Sequence, residues 1–238
     1  MMHFAMMRFE TLATDFDGTF ADNGVVEPST LVAMQRLRAS GRHAVMVTGR
    51  QIEDLHSVFS RTDLFDVIVA ENGGVLYTPA TKQFQSLHAP PPAKLVEQLQ
   101  ARRVLPLAVG HVIVATTVPN ETIVLTAIRD LGLELKIVFN KGAVMIVPTG
   151  VNKVTGLAAA LKLIEGSLEK TVGIGDAEND HAFLEACGCA VAVANALPSL
   201  KEHADFVTSN SAGRGVSELI EMLLKTDLKE VPLRTALT

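Results

Sequence analysis

Cysteine occurs only twice in this sequence, as Cys187 and Cys189. A C-x-C pair is too close for an ordinary disulfide scaffold, so a stapled extracellular domain is excluded and a reducing, cytoplasmic setting is expected. The simplest reading of the two thiols is a pair of small apolar residues packed near a helix end. A long basic run is also missing: Lys plus Arg total 21 against 26 acidic residues, for a formal net charge of −5. Proteins that follow a nucleic-acid backbone carry a basic stripe, so nucleic acid is not an expected partner. No stretch of about 20 apolar residues appears, and no membrane span is expected. The opening Met1 to Arg8 is apolar but short, and Arg8 and Glu10 interrupt it, so no secretory leader is expected. Met1, Met2, Met6 and Met7 all remain possible starts. Internal repeats and low-complexity segments are absent as well.

What is present is a sequence of 238 residues, 48% hydrophobic and 20% charged, enough for one buried core with a modest insert. Phe9 to Thr14 reads as a strand. Pro28 to Ala39 reads as a helix, with Leu31, Met34 and Leu37 at spacings of three, Pro28 and Ser29 opening it and Gly41 ending it. His43 to Val47 is the next strand, then a helix near Ile52 to Phe59 and a strand at Asp66 to Ala70. The rhythm returns late, with helices at Val154 to Leu163, Asp180 to Ala186, Leu197 to His203 and Gly215 to Lys225. Strands at Thr171 to Ile174, Ala190 to Val193 and Phe206 to Thr208 lie between them, and the tail after Lys229 is expected to be loose. This alternation predicts an α/β fold with a doubly wound parallel sheet.

Between the two halves the texture changes. Ala89-Pro90-Pro91-Pro92 opens a helix through Leu99. Apolar runs at Val112 to Val118 and Leu135 to Pro148 follow, separated by a helix at Asn120 to Leu131. The expected organisation is a core of residues 1–78 plus 151–238 carrying a small inserted α+β cap, 79–150.

Four short clusters carry chemistry. The first, Asp15-Phe16-Asp17-Gly18-Thr19, falls where the first strand ends. Residues two apart in an extended chain face the same side, so both carboxylates can enter one pocket, one to attack and the other to move protons. Alone, the cluster fits an Asx turn as well. An EF-hand is ruled out by Thr19 and Phe20 at positions that need an acid and a glycine. The second cluster, Thr48-Gly49-Arg50, offers a hydroxyl and an exposed N–H at a strand-to-helix turn, a phosphate cradle or an ordinary capped turn. Third is Lys153, a point charge for phosphate or a solvated surface lysine. The fourth, Gly175-Asp176-Ala177-Glu178-Asn179-Asp180, offers hard oxygen ligands that suit Mg²⁺ better than zinc, or else a capped helix start. Glu178 stands where a dinucleotide fingerprint needs its third glycine. Carboxylates converging on a phosphate would repel, and a divalent cation plus Lys153 removes that conflict.

In this order the clusters resemble the haloacid dehalogenase superfamily of phosphotransferases, and the position of the insert resembles its Cof-type, or IIB, branch. Glu71-Asn72-Gly73-Gly74, Val193-Ala194-Asn195-Ala196 and Gly213-Arg214-Gly215-Val216 extend the match. The resemblance implies that Asp15 is the nucleophile and a metal ligand, and that Asp17 is the general acid/base and a ligand through its carbonyl. It implies that Thr48, Gly49, Lys153 and Asn179 bind phosphate, and that Asp176 and Asp180 hold Mg²⁺. The activity implied is a phosphatase for small phosphorylated metabolites, such as sugar phosphates or phosphoglycolate, working through an aspartyl-phosphate. A sugar phosphomutase and a non-catalytic phospho-accepting module are the alternatives; Asp17, an acid for a leaving alcohol, argues against the second. Arg50 reads either as an anion contact or as an exposed helix-start residue. His111 and Lys141 are candidate cap contacts, His181 reads as packed or solvated, and Met34, Met46 and Met145 read as core.

Overall fold

The structure is a computed structural model and describes residues 7–233; Met1–Met6, with three of the four possible starts, and residues 234–238 lie outside the described residues. The first half of the chain forms β1 (Thr11–Thr14), α1 (Pro28–Ala39), β2 (His43–Val47), α2 (Ile52–Val58), β3 (Val67–Ala70), β4 (Val75–Thr78) and β5 (Gln83–Ser86). Next come α3 (Ala93–Ala101), β6 (Ala108–Val109), β7 (Val114–Thr117), α4 (Glu121–Asp130), β8 (Leu135–Asn140) and β9 (Ala143–Pro148). The chain closes with α5 (Lys153–Leu163), β10 (Thr171–Gly175), α6 (His181–Ala186), β11 (Cys189–Ala192), α7 (Pro198–Glu202), β12 (Phe206–Val207) and α8 (Ala212–Thr226).

Eight strands make one sheet in the order β12-β11-β10-β1-β2-β3-β4-β5, parallel from β12 to β3, with β4 and β5 antiparallel. Every residue of β1, β3, β10 and β11 is buried. Continuous apolar runs are what a sheet covered on both faces requires. The helix pairs α1 with α8 and α5 with α6 pack together over it, giving the α/β, doubly wound class that the alternation predicts. Cys187 and Cys189 are buried in this core and are not joined in a disulfide. No helix among the described residues is long and apolar enough to cross a membrane.

A second sheet, β6-β7-β9-β8, is antiparallel throughout. Its alternation has two destinations. Val114 and Ile146 join Leu95, Leu99, Val124 and Ala127 in a small core under α3 and α4. Ala115, Ala143 and Met145, one residue out of step, face a cavity beneath the sheet.

Three features depart from the sequence pattern. Gln83–Ser86, within the segment expected to belong to the cap, pairs with β4 and extends the large sheet. The apolar run Leu135 to Pro148 is a hairpin rather than one element, turning at Lys141 and Gly142 with φ of 46° and 85°. Positive φ at both central residues matches the turn to the strand twist. The tail expected to be loose keeps Val231 buried.

Candidate active site

The site is built at the carboxyl ends of β1, β2 and β10, where an open parallel sheet leaves a crevice. Asp15 follows β1 directly and is buried. Its Oδ1 accepts a 2.6 Å hydrogen bond from Lys153 Nζ, and the same ammonium donates to Asp180 Oδ1 at 2.5 Å. Lys153 is the first residue of α5. That start is fixed by a reciprocal cap, in which Asn152 Oδ1 accepts from Thr155 N and Thr155 Oγ1 accepts from Asn152 N. Gly73 presses on this cap so closely that a Cβ there would lie 1.9 Å from the Asn152 carbonyl oxygen. The lysine is therefore 2% exposed rather than solvated.

Asp176 follows β10. Thr19 Oγ1 donates to its Oδ1 at 3.0 Å, and Lys141 Nζ donates to its Oδ2 at 2.6 Å. Lys141 also donates to the Asp17 carbonyl at 2.8 Å. Asp180 is held in turn by the backbone N–H groups of Asp176 and Ala177, both 2.9 Å from its Oδ2. The Asp17 carboxylate lies in a fork, accepting from Arg50 Nε at 2.7 Å and Nη2 at 2.8 Å. Arg50 thus contacts neither solvent alone nor a free anion: it grips Asp17 and Asp54. Thr48 Oγ1 accepts from Arg50 N at 3.1 Å and keeps its own proton to donate. Gly49 lines the cavity, where a Cβ would come 3.2 Å from Met145 Sδ. Asn179 Nδ2 reaches Asn72 Oδ1 at 3.4 Å, and its own Oδ1 is buried without a hydrogen-bond partner.

A cavity of roughly 490 Å³ separates these strand ends from the second sheet, lined by Asp15, Asp17, Gly49 and Arg50 below and by Ala115, Lys141 and Met145 above. Of the expected residues, Asp15, Asp17 and Gly49 line this cavity, Lys153, Asp176 and Asp180 gather around Asp15, and Thr48 and Asn179 are not among the lining residues. Two residues given no role by the residue patterns organise the site. Glu71, fully buried, accepts from the backbone N–H groups of His111, Val112 and Ile113 at 2.8–3.0 Å and so fastens the insert to the core. Asn195 Nδ2 donates to the Gly18 carbonyl at 2.8 Å while its Oδ1 accepts from Ala212 N. His111 lies 3.6 Å from Glu53 and against the Phe84 ring, and His181 lies 3.3 Å from Ser199 Oγ.

The sequence model of the haloacid dehalogenase-like hydrolases matches residues 12–105 and 108–220. The chain belongs to that family. Among relatives of this hydrolase, a phosphoglycolate phosphatase from Methanothermobacter thermautotrophicus is 32% identical over 90% of this chain and 98% of its own. Another from Methanosarcina acetivorans is 30% identical over 91% and 97%. A HAD/COF-like hydrolase from Plasmodium vivax shares the fold with a TM-score of 0.76 at 20% identity, over 92% of this chain and 96% of that one.

Asp15, Asp176 and Asp180 each present an oxygen within 4.8 Å of the others. This buried, all-oxygen set can hold a hard divalent cation, and the electrostatics agree. Burial raises the Asp15 carboxyl from 3.8 to about 7, against the pull of Lys153 and with the help of Asp180 and Asp176. Burial likewise raises Asp176, although Lys141 pulls it down. Burial would lower the Lys153 ammonium, but Asp15 and Asp180 hold it above its ordinary value.

A pH signature follows. A carboxyl whose folded value exceeds its unfolded one binds its proton more tightly in the native state. Its contribution to stability is complete below about 3.8 and is lost as pH rises through about 7. Without divalent cation, the Tm of Asp15→Asn is expected to gain on wild type as pH rises from about 4 to about 7 and then to level off. Thermal melts across that range check this; a gap that stays constant contradicts it.

Proposed function

We propose that this hydrolase is a Mg²⁺-dependent phosphatase acting on small phosphorylated metabolites of the sugar phosphate or phosphoglycolate type. The observation that carries the reading is the buried Asp15 carboxylate, which opens on the cavity with Lys153 at one oxygen and Asp176 and Asp180 behind it. In this reading an Asp15 oxygen attacks phosphorus, the bond from phosphorus to the ester oxygen breaks, and Asp17 gives the leaving oxygen its proton. For that transfer one Asp17 oxygen must leave the Arg50 fork. Asp17 then takes a proton from water, the hydroxide adds to phosphorus, and the bond to Asp15 breaks, returning the free carboxylate and inorganic phosphate.

Thr48, Gly49, Lys153 and Asn179 bind the phosphoryl oxygens. Asp15, Asp176, Asp180 and the Asp17 carbonyl hold Mg²⁺, which neutralises charge on the transferring group when bound. The names of the two archaeal relatives support the substrate class, and a cavity of this size suits a small ester. A sequence with only two cysteines, in a C-x-C spacing, suits the cytoplasm. Incubation with p-nitrophenyl phosphate and then with a panel of phosphorylated metabolites is expected to release phosphate in Mg²⁺ and none in EDTA. Transfer between hydroxyls of one sugar without free phosphate would instead identify a mutase, and a stable phospho-protein without turnover would identify an acceptor module.

A further inference from the structure

Glu71 is a fully buried acid that the reaction itself leaves unused. Its backbone is strained: Glu71 and Asn72 both lie in the left-handed region, at φ of 50° and 56°, where a glutamate is rarely found. In that conformation Glu71 N donates to the Arg50 carbonyl at 2.9 Å and Asn72 N to the Thr48 carbonyl at 3.0 Å. These two carbonyls flank Gly49. The carbonyl and N–H of one trans peptide point to opposite sides, so fixing the Thr48 carbonyl sends the Gly49 N–H away from the turn. The same turn touches the other phosphate groups, through Asn72 Oδ1 to Asn179 and through Gly73 against the cap that starts α5 at Lys153. What offsets the strain comes from the insert. The Glu71 carboxylate accepts from His111, Val112 and Ile113 N–H in the β6–β7 turn, and a Cβ on Gly110 would lie 2.6 Å from its Oε2. Val112 and Ile113 are buried in the main core, so their N–H groups have no water to turn to. Carboxylate and turn therefore hold one another.

We propose, resting on the phosphatase reading, that Glu71 is a positioning residue: bound by the insert, it keeps the left-handed turn whose N–H groups aim Gly49 at the phosphoryl oxygens. Docking of the insert and phosphate affinity are then one property, and a change in the β6–β7 turn alters phosphate binding in the core.

Inorganic phosphate occupies only part of the cavity and so reports the cradle by itself. Its Ki as a competitive inhibitor of p-nitrophenyl phosphate hydrolysis, in saturating Mg²⁺, is expected to rise roughly tenfold in Glu71→Gln, because glutamine turns one accepting oxygen into a donor among N–H donors. KM should rise with it while kcat stays within about twofold, since the cradle holds the phosphoryl group before and during transfer alike. A second pair of variants leaves the core sequence untouched. His111→Ala keeps all three N–H groups and is expected to keep the wild-type Ki. His111→Pro removes one of them and should raise Ki roughly threefold. An unchanged Ki in Glu71→Gln overturns the proposal, and so does a Ki in His111→Pro equal to that of His111→Ala. Should Glu71→Gln fail to fold, the histidine pair decides. Wild-type protein that releases no phosphate from any ester strikes the phosphatase reading itself, and the proposal falls with it.

Discussion

Asp15→Asn is expected to lower kcat by at least about 10⁴-fold while leaving the fold intact. The size of the effect follows from what the residue supplies. A nucleophile that takes the phosphoryl group covalently has no substitute in the site, and removing such a group typically costs as much as dismantling the whole catalytic set. Asp17 cannot stand in, because in this reading its carboxyl already carries the proton for the leaving oxygen. Asp180 cannot, because its oxygens are engaged by Lys153 and two backbone N–H groups. Asparagine keeps the shape and can still accept from Lys153, so a loss of activity would not be a loss of structure. Phosphate release under saturating Mg²⁺, together with a melt of the same sample, checks both halves. A folded variant that retains a tenth of wild-type kcat would show that another group attacks phosphorus.

How far this site could be read from the residues depends on where each one gets its partners. β1, β2, β3, β10 and β11 are legible because each is a short apolar run bounded by turn residues. The chemistry is legible because Asp15, Thr48 and Asp176 stand at or just past the ends of three of these strands. β5 was not legible. All four residues of Gln83–Ser86 are exposed, so no alternation marks them, and their pairing with β4 alone makes them a strand. The β8–β9 turn was hidden for the opposite reason, since the apolar residues on both sides left no break except Lys141-Gly142.

The lysines are the instructive case. In sequence, Lys153 and Lys141 look like any surface lysine. Their partners lie 138 and 35 positions away, and only the sheet order, which sets β1 beside β10, brings those carboxylates together. Glu71 is similar. Its motif resembles the family's, but its task, to accept three N–H groups from the insert, exists only once the insert is docked.

Lys153→Met should be the most destabilising substitution in the site. The ammonium is buried, lies 5.6 Å from the Phe183 ring centroid, and bonds two carboxylates that are themselves buried. Methionine fills nearly the same space, so packing is preserved and the missing charge is the main change. Deleting one member of a buried ionic group leaves the others uncompensated, at a cost of about 3–5 kcal/mol. For a chain of this size that corresponds to a Tm lower by roughly 10 °C at neutral pH.

The cause can be separated from a packing defect by two rescues. Asp15 is already raised to about 7 with Lys153 present, and without it the carboxyl is pushed higher still. Protonation then removes the repulsion, so the deficit should shrink as pH falls from the alkaline side toward about 7 and level off below it. Added Mg²⁺ supplies positive charge to the same oxygens and should recover part of the Tm in proportion to its binding. Lys153→Arg should not recover it, because a planar fork cannot reproduce point contacts of 2.5 and 2.6 Å in a fully enclosed position. A deficit that ignores both pH and Mg²⁺ would mean that Lys153 is held there for its methylene stem, and that the carboxylates are not what its charge answers.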